Sequence, residues 1–165
     1  MTRDEFIRNT ESCQKAFRRF LTALCCGDSD EADDIAQESL VKAYLSCDGL
    51  KEPAKFKAWL YRIGFNTFFS HRRAVRPVTT LDDAPETEAP ERSDGVFRYQ
   101  ALYAALDRIP ERERTSILLY YMEGYSVREI SAIVEVSEEA VRQHLSRGRS
   151  HLRGLLSCLL YTSPS

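Results

Sequence analysis

Between Arg76 and Ser93 the chain carries three prolines (Pro77, Pro85 and Pro90) among threonines, aspartates and glutamates, with Val78 and Leu81 as its only large apolar side chains. Such a stretch cannot bury enough surface to offset the entropy of ordering it. At 165 residues the chain can hold one domain or two small ones, and this interruption divides it into two small units, one on each side of an acidic linker. With 43% hydrophobic and 29% charged residues, each unit has enough apolar side chains to close a modest core.

Hydrophobic spacing makes both units helical. Before the linker, Phe6, Cys13, Phe17, Phe20 and Leu24 recur with polar residues between them, as on one side of an amphipathic helix over residues 5–26. Gly27-Asp28-Ser29-Asp30 breaks that pattern, a second helix spans about Glu31 to Ser46, and a third starts near Pro53. After the linker, Pro110 with Glu111 and Glu113 opens a helix that should stop at Gly124. Ser126 and Glu129 then form a capping box ahead of Ile130, Ile133 and Val134. Ser137 caps the next helix, whose apolar positions are Ala140, Val141, Leu145 and Leu152. Two short helices joined by a tight turn, the second rich in arginine, form a helix-turn-helix of a shape that enters a DNA major groove. Glu138, Glu139, Arg142, Gln143 and Ser146 would face bases, with His144, Arg147 and Arg149 nearer phosphates.

Charge locates the second candidate site. From Ala54 to Pro77 there is no acid, while Lys55, Lys57, Arg62, Arg72, Arg73 and Arg76 alternate with Phe56, Trp59, Tyr61, Phe65, Phe68 and Phe69. Cations neutralise phosphates, and rings offer unpaired bases a stacking surface worth roughly 1–3 kcal/mol each. The same rings at helical spacing could equally be core, and both readings stand at this point. The formal charge of −2 predicts weak DNA binding by the chain alone, so a second macromolecule should supply affinity.

Other classes fit poorly. No apolar run approaches the roughly 20 residues that span a bilayer, and Thr2-Arg3-Asp4-Glu5 does not open a signal peptide, so a cytoplasmic location is expected. Cys13, Cys25, Cys26, Cys47 and Cys158 contain no CxxC pair, and His71, His144 and His151 are scattered, so reduced thiols and no metal site are expected. No phosphate-binding loop, HExxH or nucleophile-and-base set points to an enzyme or a cofactor.

Three stretches resemble one family in order. Ala32-Asp33-Asp34-Ile35-Ala36-Gln37-Glu38 through Tyr44, Phe56-Lys57-Ala58-Trp59-Leu60-Tyr61-Arg62 through Thr67, and Ile109-Pro110-Glu111-Arg112-Glu113-Arg114 through Arg142 look like a bacterial extracytoplasmic-function sigma factor of RNA polymerase. The resemblance implies an all-α protein of two small helical domains: residues 1–75 for core binding and the minus-ten element, a linker over 76–95, residues 96–156 for the minus-thirty-five element, and an unstructured tail over 157–165. It implies that Asp33, Asp34, Gln37 and Glu38 meet the β′ clamp helices of the polymerase core. Lys57, Trp59, Tyr61, Arg62, Asn66, His71, Arg72 and Arg73 would engage single-stranded minus-ten DNA, with Asn66 beside a flipped base. Ser137, Glu138, Glu139, Arg142, Gln143, Ser146, Arg147 and Arg149 would engage the minus-thirty-five duplex. The partners implied are polymerase core, promoter DNA and an anti-sigma factor, membrane-bound in many family members.

Two positions depart from the pattern. Family members commonly have glycine in the turn where Glu135 stands, and a left-handed glutamate costs roughly 1 kcal/mol or forces another turn. Gly148 inside the recognition helix costs about 1 kcal/mol relative to alanine. The alternatives are a stand-alone helix-turn-helix regulator, which leaves the aromatic tract unexplained, and a protein-binding helical adaptor, which leaves Arg147 and Arg149 without a task.

Overall fold

The computed structural model describes residues 1–75 and 94–161, so the expected linker lies almost wholly outside the described residues, as do residues 162–165. Helices and turns make up the described residues, with no strand among them. The first unit is α1 (Arg3–Leu24), α2 (Ser29–Ser46) and α3 (Phe56–Val75); the second is α4 (Asp94–Asp107), α5 (Glu111–Ile117), a π-helical turn (Leu118–Met122), α6 (Val127–Val134) and α7 (Glu138–Tyr161). Helix α7 thus runs well into the stretch after Ser157 that was expected to be unstructured.

Short polar side chains set the helix starts. Thr2 accepts from the Glu5 amide at 3.2 Å while Glu5 accepts from the Thr2 amide at 3.0 Å. Asp28 caps α2 by accepting from the Glu31 amide at 3.1 Å. The expected capping box of Ser126 and Glu129 opens α6, and Ser137 accepts from the Ala140 amide at 3.1 Å. The core of the first unit comes from the stripe of α1 that periodicity marks, Phe6, Cys13, Phe17, Phe20 and Leu24, all buried.

Helix α3 supplies the other half of that core, and this corrects the reading of its rings. Phe56, Tyr61, Phe65 and Phe68 are buried. Tyr61 is fully enclosed, stacked on Phe17 and Phe20 with ring centroids 5.4 and 5.1 Å away. No base can reach it, so Tyr61 leaves the set of candidate DNA contacts. The physical reason is position: α3 packs on α1 and α2 with one side and on α6 with another, so a helix read as a DNA surface is also the central beam of the molecule.

The two units touch through a buried arginine. The Arg114 side chain on α5 is fully enclosed and donates to the carbonyl oxygens of Leu106 at 2.8 Å, Leu24 at 2.9 Å and Ile109 at 3.4 Å. Leu24 ends α1 and Leu106 lies in the last turn of α4, where helix carbonyls lack intrahelical partners and the dipole is negative. One guanidinium therefore satisfies the ends of two helices, one from each unit.

Gly148 is explained by contact. A Cβ at that position would lie 2.5 Å from Ile117 Cδ1 and 3.3 Å from Glu113 Cβ, so its absence lets α7 lie directly on α5. The Glu135 turn keeps its left-handed conformation, φ 57° and ψ 47°, and no alternative turn replaces it.

Both contacts set stability. Gly148→Ala should lower unfolding free energy by about 1–3 kcal/mol through overpacking, whereas a gain of about 1 kcal/mol is expected at an exposed helix site. Arg114→Leu should cost about 3 kcal/mol or more, because buried carbonyls lose their donor. Urea unfolding of each variant measures both.

Candidate nucleic-acid interface

The eight residues of the minus-ten set do not form one surface. Trp59, Arg62, Asn66 and Arg73 recur at helical spacing and share one side of α3. Arg62, Asn66 and Arg73 are exposed, and Trp59 is half-buried against Phe56 with ring centroids 5.9 Å apart. Lys57 turns away, pairing with the buried carboxylate of Glu123 at 3.4 Å and lying over the Tyr61 and Tyr125 rings. His71 and Arg72 turn towards α2, where His71 meets Glu38 at 2.6 Å and Arg72 meets Glu31 at 3.3 Å. Lys57, His71 and Arg72 are thus occupied by acids from neighbouring elements, which single-sequence spacing cannot reveal.

On α2 the candidate core-binding residues do gather. Ala32, Ile35, Ala36, Ser39 and Ala43 are buried, and Asp33, Asp34, Gln37 and Glu38 stand exposed on the other side. Asp33 pairs with Arg18 at 3.1 Å. The hydrogen bond from His71, with help from Lys42, holds the Glu38 carboxyl below its ordinary range, keeping it an anion. Sequence reasoning missed the continuation of this face: Val41 and Leu45, 58% and 75% exposed, follow Asp33 and Gln37 at intervals of one turn. Apolar residues four apart, off the buried stripe, were the available signal.

Helix α7 points its candidate residues outwards. Val141, Leu145 and Gly148 face the core, while Glu138, Glu139, Arg142, Gln143, Ser146 and Arg147 are exposed. Ser137 is spent on capping α7. Arg149 lies on one flank, donating to the Tyr121 hydroxyl at 3.1 Å at the edge of an apolar groove of about 560 Å³. His144 lies on the other flank, half-buried between Arg112 and Arg147, with its Nδ1 unpartnered among the described residues.

Burial and then the Arg112 charge push the His144 pKa below its ordinary 6.5. As pH falls below 6.5 the unfolded chain takes up this proton first, so His144 should make acid destabilising in that window. An NMR titration should place His144 below an exposed histidine, and His144→Gln should flatten the pH dependence of unfolding just under that pH.

The adjacent thiols are poor candidates for redox chemistry. Burial raises Cys25 to about 12 and Cys26 to about 11, leaving both protonated and weakly nucleophilic. Among the described residues no cluster of histidine, cysteine and carboxylate could hold a metal ion, and no helix is long and apolar enough to cross a membrane.

Comparison with known proteins agrees with this arrangement. The family model for sigma-70 region 2 matches residues 10–77, and that for sigma-70 region 4 matches residues 99–152. The chain is 32% identical to the ECF RNA polymerase sigma factor SigW of Bacillus subtilis, over 77% of this chain and 76% of that protein. It is 29% identical to the ECF RNA polymerase sigma factor EcfG of Rhodopseudomonas palustris, over 86% of this chain and 79% of that protein. The sigma factor RpoE of Bartonella quintana, solved in complex with the anti-sigma factor NepR, superposes with a TM-score of 0.75 at 25% identity, covering 94% of this chain and 98% of that one. CnrH, solved with the cytosolic domain of CnrY, has the same fold with a TM-score of 0.70 at 23% identity, covering 93% of this chain and 88% of that one. The ordered pair of regions, the identity to curated sigma factors and the shared fold together show that this chain belongs to the extracytoplasmic-function sigma factors of RNA polymerase.

Proposed function

We propose that this sigma factor docks on polymerase core through the outer face of α2, engages separated minus-ten DNA through one side of α3, and engages minus-thirty-five duplex through α7. The observation that carries the reading is the division of the first unit into two exposed faces of opposite character. One face carries Asp33, Asp34, Gln37 and Glu38 with Val41 and Leu45; the other carries Trp59, Arg62, Asn66 and Arg73. An acidic face with an apolar continuation suits a protein partner, because apolar area supplies affinity and charge fixes orientation. A cationic face with an amide and an indole suits a single strand: guanidinium groups take phosphates, Asn66 can donate to and accept from a base edge, and Trp59 offers a ring.

On α7, Arg142, Gln143 and Ser146 project from a helix anchored by its cap and by close packing at Gly148. That rigidity supports base reading, since a side chain discriminates between bases only when its backbone is held in register. Arg147 and Arg149 flank the exposed face and suit phosphates on either side. The function requires no chemistry from the chain itself.

An anti-sigma partner fits as well, as in the relatives solved with one. The groove bounded by Leu102, Leu106, Tyr121, Met122 and Leu152 is largely apolar, with Arg149 and Arg153 in its wall. An amphipathic helix carrying acids beside its apolar stripe matches that surface.

A reconstituted run-off assay separates the faces. Asp33→Ala with Leu45→Ala should weaken core binding about tenfold or more while leaving DNA opening by the assembled holoenzyme intact. Asn66→Ala or Trp59→Ala should reduce open complexes about tenfold with core affinity unchanged. Arg142→Ala should reduce initiation only at promoters that depend on the minus-thirty-five element. Identical profiles for the α2 and α3 variants would refute the division of labour.

A further inference from the structure

The side of α3 assigned above to single-stranded DNA is exposed but is bridged at Arg62 by the second unit. Arg62 forms an ion pair with Glu135, the residue that ends α6 at the turn of the helix-turn-helix. Asn66, Phe69 and Arg73 of α3 line a cavity of about 340 Å³ together with Arg112, Val134 and Glu135. Among the described residues Glu135 is the one acid lining this cavity, which it shares with Arg73 and Arg112 while pairing with Arg62. Its backbone is left-handed, a conformation that disfavours glutamate by roughly 1–2 kcal/mol, so local geometry does not account for glutamate there.

We infer that Glu135 is a built-in competitor for the DNA strand: its carboxylate stands in for a backbone phosphate on Arg62 and closes the minus-ten face in the free protein. The inference rests on the assignment of that face to DNA. Around the pair, the two units also meet through Lys57 with Glu123, the edge contact of Tyr61 with Tyr125 at 5.8 Å and Arg112 over the Phe69 ring at 5.4 Å. Lys57 and Glu123 hold the units together away from the DNA face, whereas Glu135 sits on it. Arg62 and Glu135 are about half exposed, so solvent screens their attraction and the latch is weak enough for a polyanion to displace.

The test uses the full chain and a fluorescent mixed-sequence single-stranded 12-mer, with anisotropy titrations at low salt. Glu135→Gly removes the carboxylate and suits the left-handed turn, so it should fold normally. It should bind the strand about two- to fivefold more tightly than the parent, the range of one exposed ion pair. In an Arg62→Ala background the same change should give no such gain, since the latch has already lost its partner. An undiminished gain in that background would mean that Glu135 acts only as a diffuse repulsive charge, and the latch would be disproved. No tighter binding by Glu135→Gly would disprove it equally. Failure of the underlying DNA assignment has a different signature: Arg62→Ala would leave open-complex formation by the holoenzyme unchanged.

Discussion

The molecule depends on a charge placed where water cannot reach it. Desolvating a guanidinium is expensive, and Arg114 offsets that cost with the backbone oxygens of Leu24, Leu106 and Ile109. The arrangement works because α1 and α4 end at the same place, presenting carbonyls with acceptor capacity that their own chain only partly uses. Removal of the side chain would take the strongest donor from those buried oxygens and would also sever a junction between the two halves. The same anchorage fixes α5, and through Gly148 it fixes the height of α7 above the core.

Around this junction the first unit presents two faces of different character on adjacent helices. Helices α2 and α3 face outwards in different directions but are tied by His71 to Glu38 and by Arg72 to Glu31. These pairs use side chains from the end of α3 to hold acids of α2 in place.

Much of the architecture was legible because it is written in local chemistry. Ser126 with Glu129, Ser137, and the stripe from Phe6 to Leu24 each predict an element, and each element is present. What escaped were features that exist only between distant segments. Arg114 reads as an ordinary surface residue until two helix ends meet around it. Tyr61 looks like the other rings of its tract, and only the approach of Phe17 and Phe20 makes it core. Lys57 and Arg72 count as free cations in a composition and His71 as a free imidazole, yet each has an acid from another element. The π-helical turn at Leu118–Met122 also escaped; it leaves Tyr121 and Met122 exposed at 58% and 44% beside the apolar groove.

The missing side chain at Gly148 has a bearing on how such a protein could acquire new targets. With Ile117 pressed against the bare backbone, position 148 has no room for a side chain. Arg142, Gln143 and Ser146 carry no comparable burden. Under the proposed role of α7, divergence towards another promoter can thus proceed by altering outward letters alone, while the inward glycine preserves the angle at which every successor is presented.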